Sequence, residues 1–272
     1  MVKLSGFADE ISPDLNVQLD TLDSLDIRYL EFRGVWDKNV LSLDDEELAK
    51  VKKELDRRGI GVSAIGSPLG KVPIDSDFET YKPLVQHAID VAHRMETPYI
   101  RIFSFYVNDL DEDRDEVMRR MQAMVDMAAA GGVTMLHENE DRIYGELPER
   151  CLDLHKTIAN EHFGAIYDAS NFVTSGVHPF DEAYRLLAPY IQYFHVKDQI
   201  MSERRIVPAG EGDGQYPELL AALKKRGYEG FFSLEPHLQK AGQFQGFSGP
   251  ELFSTAARAL RLLLDEAGIP WE

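Results

Sequence analysis

A single cysteine, Cys151, leaves the chain without a partner for an intrachain disulfide and without a thiolate-rich metal site. A reducing compartment is the setting this fits. No apolar run is long enough to span a bilayer, and the opening residues MVKLSGFADEIS lack the hydrophobic core of a signal peptide. The sequence therefore reads as cytoplasmic and unprocessed, with no membrane partner. Positive charge is also scarce: 29 Lys and Arg face 47 Asp and Glu, for a formal net charge of -18. Such a surface repels a phosphate backbone, so nucleic acid is not expected as a partner. No Gly-x-Gly-x-x-Gly follows the first apolar run, which argues against a dinucleotide site, and low-complexity segments and internal repeats are missing.

What is present is the mixture of a folded enzyme-sized protein, 44% hydrophobic and 28% charged over 272 residues, a length that admits one barrel or two ordinary domains. Short β-rich apolar runs alternate eight times with longer segments of helical period. The strand candidates are Lys3 to Phe7, Arg28 to Phe32, Gly61 to Ile65, Tyr99 to Phe103, Thr134 to His137, Phe163 to Tyr167, Ile191 to Val196 and Gly230 to Leu234. Between them, Ser42 is expected to cap the second helix with Asp45 at the capping-box position, and Gly59, Gly131, Gly227 and Gly268 to end four helices. Eight such units without a composition break predict a (β/α)8 TIM barrel formed by residues 1–272 as one domain.

Barrels of this kind place their chemistry at the C-terminal strand ends. The fifth to eighth ends read TMLHEN, AIYDASN, YFHVKD and FSLEPH, and so offer Glu138, Asp168, His195 and Glu235. Three carboxylates converging there repel one another unless a cation neutralises them. A sulfur-free set of three carboxylates and an imidazole suits Mn²⁺, Mg²⁺ or Co²⁺, with Zn²⁺ also open. The expected cofactor is one divalent metal, Mn²⁺ first.

Around this quartet, Glu31 and Arg33 at the second strand end and Arg101 and Ser104 at the fourth are candidates for substrate contact, as is Lys197, which alternation places on the face of His195. Asp198 falls on the other face. An ion pair within the barrel mouth is the competing reading for Glu31. His137 is expected to turn away from the quartet into packing, Glu211 and Asp213 to shape a turn, and Lys71 in SPLGK to be either a substrate contact or a solvated loop lysine. His237 either returns to the pocket or is turned aside by Pro236. The segment from Gly242 to Gly249 pairs phenylalanines with glycine hinges and is a candidate cover for a sugar ring.

At these residues the chain resembles the xylose-isomerase-like superfamily of sugar isomerases and epimerases. LHEN at Glu138, YDASN at Asp168, FHVKD at His195, PAGEGD from Pro208 to Asp213 and GYEGFFSLEPH at Glu235 carry the resemblance, which covers essentially the whole chain. It implies that Glu138, Asp168, His195 and Glu235 are metal ligands. It also implies that Glu138 and Glu235 act as catalytic proton carriers beside a carbonyl, through a cis-enediolate. The substrate implied is a small sugar or keto-sugar, and a homo-oligomer is an open expectation. Where the epimerase branch commonly carries histidine, this chain has Asn171, which can hydrogen-bond a substrate hydroxyl but cannot transfer a proton. The alternative reading is a lyase or dehydratase of a keto-sugar or keto-inositol, by β-elimination from the same enolate. A nuclease of the superfamily would use several zinc ions and many histidines, and this chain has only 8.

Overall fold

The computed structural model describes residues 1–238 and 248–272. Eight strands form one sheet: β1 (Lys3–Gly6), β2 (Tyr29–Phe32), β3 (Gly61–Ile65), β4 (Tyr99–Ile102), β5 (Thr134–Glu138), β6 (Phe163–Asp168), β7 (Ile191–Val196) and β8 (Phe231–Leu234). Their order is β1, β8, β7, β6, β5, β4, β3, β2, with parallel neighbours throughout. A parallel bridge between Phe7 and Glu31 sets β1 against β2 and closes the ring. The expected barrel is therefore observed, with strand boundaries within a residue of those read from the sequence.

The strands carry apolar side chains on both faces because helices cover the outside while Ala64, Leu136, Ile166 and Tyr193 pack within. Below the mouth, Ser63 joins Ser5 (2.6 Å) and the Tyr193 hydroxyl (2.8 Å), so these three hydroxyls satisfy one another inside the barrel.

Helix α1 spans Leu15–Ser24 and α2 Asp45–Arg58, followed by α3 (Phe78–Arg94), α4 (Arg114–Ala130), α5 (Pro148–Ile158), α6 (Ala169–Thr174), α7 (Arg185–Leu187), α8 (Tyr216–Lys225) and α9 (Gly249–Ala267). The cap of α2 differs from expectation. Asp44 accepts from the Glu47 N–H (2.9 Å) and Glu47 returns to the Asp44 N–H (3.0 Å), while Ser42 ends a 3-10 turn. The physical reason is the Asp-x-x-Glu spacing, which makes both bonds of the box, whereas Ser42 has only the shorter Asp45 three residues on. Gly59, Gly227 and Gly268 take left-handed φ after their helices, but Gly131 stays right-handed and Gly132 makes the reversal instead.

One buried group outside the mouth makes the fold sensitive to acid. His155 of α5 lies stacked on Tyr190 (centroids 4.8 Å apart, 11° between planes) and against Phe163, and neither ring nitrogen has a hydrogen-bond partner among the described residues. Burial, aided by nearby His137, lowers its pKa from 6.5 to about 3. Below pH 6.5 the unfolded chain takes up a proton that the folded chain refuses, so stability falls with pH by roughly 1.4 kcal/mol per unit until the folded pKa is reached. His155→Phe should therefore lose about 2 kcal/mol less than the parent between pH 7.5 and 5, read by urea unfolding. Equal losses in the two proteins would show that His155 is not held neutral.

Candidate metal centre

The strand ends deliver the quartet through register. Asp168 pairs with His195 across β6 and β7, Glu138 pairs with Ile166 two residues short of Asp168, and Glu235 follows the Leu234 to Val196 pair beside Lys197. One donor atom from each of Glu138, Asp168, His195 and Glu235 lies within 4.8 Å of the others, and all four residues are buried. Residues separated by up to 97 positions thus meet where the sequence placed them.

Asp168 does two jobs. Its Oδ1 accepts from the Asn171 N–H (2.8 Å) and so caps α6, and Asn139 clamps its backbone through both N–H (3.0 Å) and carbonyl (2.9 Å). Its Oδ2 is left without a hydrogen bond among the described residues, with the Lys197 ammonium 3.0 Å away as its charge partner. His195 turns Nδ1 toward Glu138 Oε1 (2.9 Å) and Glu235 Oε2 (3.6 Å), while Nε2 meets both oxygens of Glu31 (3.1 and 3.2 Å). The far nitrogen is thereby fixed by a carboxylate, as in metal sites where such a partner sets the tautomer.

Cations surround the acids. Arg101 Nη1 donates to Glu138 Oε2 (3.0 Å), Arg33 Nη1 to Glu235 Oε1 (3.0 Å) and Lys197 Nζ to Glu235 Oε2 (3.1 Å). Burial opposes charge on Glu138, but His195 and Arg101 prevail and hold its carboxyl down at about 2. Burial pushes Asp168 up to about 7 against the pull of Lys197. Glu235 is buried too, yet Lys197 and His237 keep it well below the carboxylate range. Burial would lower His195, but Glu138 and Glu31 outweigh it and raise its pKa well above 6.5.

The quartet fits a divalent ion by its oxygen and nitrogen donors and by the Oδ2 of Asp168, which has no hydrogen bond among the described residues and only Lys197 as a charge partner. Because His195 carries its proton when the acids are uncompensated, an ion taken up at Nδ1 has to displace it. Mn²⁺ binding at pH 7 is expected to release between one and two protons per chain, one from His195 and the remainder from Asp168, read by calorimetry in buffers of different ionisation enthalpy. Identical heats in every buffer would show that His195 gives up no proton.

The other sequence candidates divide. Arg33, Arg101, Asn171 (Nδ2 to Glu138 Oε1, 3.3 Å) and Lys197 all touch the quartet. Glu31 is fully buried and pairs with His195, so the ion pair expected within the barrel mouth forms with an imidazole. Lys71 pairs with Glu140 (2.7 Å) and lies over Phe103. His137 and Ser104 bond each other (3.0 Å) away from the quartet. Asp198, on the opposite face, accepts from the N–H groups of Gly210 (2.9 Å), Gly212 (3.0 Å) and Gly214 (2.9 Å) and so folds the PAGEGD loop around its carboxylate. A Cβ on Gly212 would lie 2.5 Å from that carboxylate, which is why the approach needs glycine. Within the same loop Asp213 accepts from the Met201 N–H (2.7 Å), a turn-shaping role. The candidate cover from Gly242 to Gly249 lies outside the described residues except at Ser248 and Gly249.

Sequence reasoning missed Glu10, which no strand pattern singles out because it sits in a 3-10 turn (Ala8–Glu10) beyond β1. It also missed Glu140, and it left open His237, which the structure turns back to Glu235 Oε1 (3.4 Å).

A family model described as xylose isomerase-like TIM barrel matches residues 7–263. An uncharacterized protein of Methanocaldococcus jannaschii is 26% identical over 161 residues, which take in 56% of this chain and 55% of that protein. The chain thus spans about half the length of the curated relative it matches. Among solved structures, the probable 3-DHS dehydratase AsbF involved in petrobactin synthesis from Bacillus anthracis superposes with a TM-score of 0.78 at 17% identity, covering 96% of this chain and 99% of that one. A D-psicose 3-epimerase determined in the presence of D-fructose gives 0.76 at 17% identity, over 98% and 100%. A xylose isomerase-like TIM barrel protein from Mycobacterium smegmatis in complex with magnesium gives 0.72 at 16%, over 99% and 97%. At these identities the likeness is one of fold.

Proposed function

The chain belongs to the xylose isomerase-like TIM barrel family, and from that premise we propose that it is a divalent-metal-dependent isomerase or epimerase of a small sugar, moving a proton beside a carbonyl through a cis-enediolate. The observation that carries the reading is how Glu138 and Glu235 are held. Each turns one oxygen toward His195 and the other toward an arginine, Arg101 for Glu138 and Arg33 for Glu235.

A proton α to a ketone is weakly acidic, and a carboxylate removes it only when well placed and charged. Glu138 and Glu235 come from β5 and β8, so they approach a substrate carbon from different sides of the mouth. One takes the proton and the other returns it. A Mn²⁺ ion, or Mg²⁺, Co²⁺ or Zn²⁺, held by Glu138, Asp168, His195 and Glu235 would polarise the carbonyl and offset the negative charge that develops, worth roughly several kcal/mol. Glu31 keeps the imidazole in one tautomer, and Arg33, Arg101, Asn171 and Lys197 offer donors to substrate oxygens. Residues 1–272 are taken as one catalytic domain.

A second reading, elimination of water or an alkoxide from a keto-sugar or keto-inositol, is favoured by Lys197. It sets a buried ammonium donor between Asp168 and Glu235, where a leaving oxygen would need a proton, while Asn171 cannot supply one. Incubation of the Mn²⁺-loaded protein with a panel of ketoses and keto-inositols in D₂O, followed by NMR, separates the two. A deuterated product of unchanged formula marks isomerisation, and loss of water or an aglycone marks elimination. A panel returned without deuterium and without product would end both readings.

A further inference from the structure

Beside the quartet, a second set of donors converges. Glu10 Oε1 lies 3.2 Å from His237 Nε2, which lies 3.4 Å from Glu235 Oε1. The three residues offer donor atoms that all fall within 4.8 Å of one another. We propose that Glu10, Glu235 and His237 hold a second divalent cation of the Mn²⁺, Co²⁺ or Zn²⁺ kind, bridged through Glu235 to the ion of the quartet. The inference rests on the quartet reading only through that shared ligand.

The spacing is that of ligands around an ion. Two donors each about 2.1 Å from one metal, at tetrahedral or right angles, stand roughly 3.0–3.4 Å apart. At 3.2 Å, Glu10 and His237 should bond each other if either aimed at the other. They do not: both Glu10 Oε1 and His237 Nε2 lack a hydrogen-bond partner among the described residues, although Glu10 is fully buried. A buried carboxylate oxygen with no hydrogen bond, and with its nearest cation the Arg33 guanidinium 4.0 Å away, is costly until a cation closes on it.

The surroundings fix these atoms in place. Glu10 commits its other oxygen to the His237 N–H (3.0 Å) and the Ser248 hydroxyl (2.9 Å), so β1 and the segment after β8 are buckled together at the site. Glu235 divides its oxygens, Oε2 toward His195 and Lys197 and Oε1 toward His237, as a bridging carboxylate does. Arg33 flanks the position, with Nη1 3.0 Å from Glu235 Oε1 and Nη2 4.0 Å from Glu10 Oε1, so an ion entering here has to draw Glu235 Oε1 from Nη1 while Nε keeps its bond to Asp9 at 2.7 Å. Around both sites the carboxylates of Asp9, Glu10, Glu31, Glu138, Glu140, Asp168 and Glu235 outnumber the cations of Arg33, Lys71, Arg101 and Lys197. One dication leaves negative charge over for a second. His237 is 22% exposed, so open positions on the second ion would face the mouth, where water or a substrate oxygen can complete them.

The test is metal stoichiometry. Metal-stripped protein is reloaded with Mn²⁺ and, separately, Zn²⁺, and the bound ions are counted by plasma mass spectrometry and titration calorimetry. Mn²⁺ coupling is read by electron paramagnetic resonance. The parent should bind two ions, with anomalous peaks about 3.5–4 Å apart in crystals. His237→Ala and Glu10→Gln should each bind one, or bind the second at least tenfold more weakly, and show the spectrum of isolated Mn²⁺. Asp168→Asn should keep an ion at the second site. His237→Ala is decisive if Glu10→Gln does not fold, because the imidazole Nε2 forms no hydrogen bond among the described residues whose loss would unfold the chain. A parent with one ion, kept in His237→Ala and lost in Asp168→Asn, overturns the second site and leaves the quartet standing. The reverse pattern upholds this site and removes the quartet, and a parent with no ion overturns both.

Discussion

Glu138→Gln is expected to lower the rate at which a processed ketose exchanges its α-proton with solvent by about 10²–10⁴-fold. The substitution keeps the size of the side chain and removes the charge that Arg101 and His195 face at 3.0 and 2.9 Å. What makes it informative is the comparison with Glu235→Gln. If one glutamate serves each side of the substrate carbon, Glu138→Gln should block exchange from one epimer and spare the other, and Glu235→Gln should show the opposite preference. A mere loss of metal would depress both epimers together, so metal content is measured on each variant at saturating Mn²⁺. Metal-loaded variants that exchange both epimers at the parent rate would remove Glu138 and Glu235 from the chemistry.

That experiment is available because the quartet was legible in the sequence. A strand in a parallel barrel ends at the mouth, so an acid or imidazole closing an apolar run is placed before any contact is known, and TMLHEN, AIYDASN, YFHVKD and FSLEPH each do this. Strand alternation separated Lys197 from Asp198 in the same way. What stayed hidden depends on contacts between distant segments. Glu31 carries no mark of its role, because its partner His195 is 164 residues away. Glu10 becomes a buried acid only when Ser248 and His237 arrive from the far end of the chain. His237 returns to the mouth through a left-handed backbone (φ 46°) that follows Pro236, a conformation that periodicity does not foretell. The short helix α6 was missed because Asp168 reads as a ligand when it is also the cap.

Lys197→Met should destabilise the metal-free protein by about 3–5 kcal/mol, because it deletes one partner of a buried charge cluster while keeping most of the stem's packing. In a chain of this size that corresponds to a melting point lower by roughly 6–15 °C. The Lys197 ammonium lies 3.0 Å from Asp168 and 3.1 Å from Glu235, the same oxygens assigned to the ion. Although burial works against its charge, Asp168 and Glu235 prevail and raise its pKa well above the ordinary lysine value. Asp168, already pushed up to about 7, would take a proton in response and trim the loss. The larger consequence appears on adding Mn²⁺. An ion at 100 to 1,000 times its dissociation constant stabilises by about 2.7–4.1 kcal/mol. In the parent part of that gain is spent shifting Lys197, whereas in the variant the ion meets unpaired carboxylates. The rise in melting point on adding Mn²⁺ should therefore be larger for Lys197→Met than for the parent, and 0.5 M NaCl should change it little because the cluster is buried. Equal rises in the two proteins would mean that lysine and metal do not contend for one place, and the ion would have to be sought away from Asp168 and Glu235.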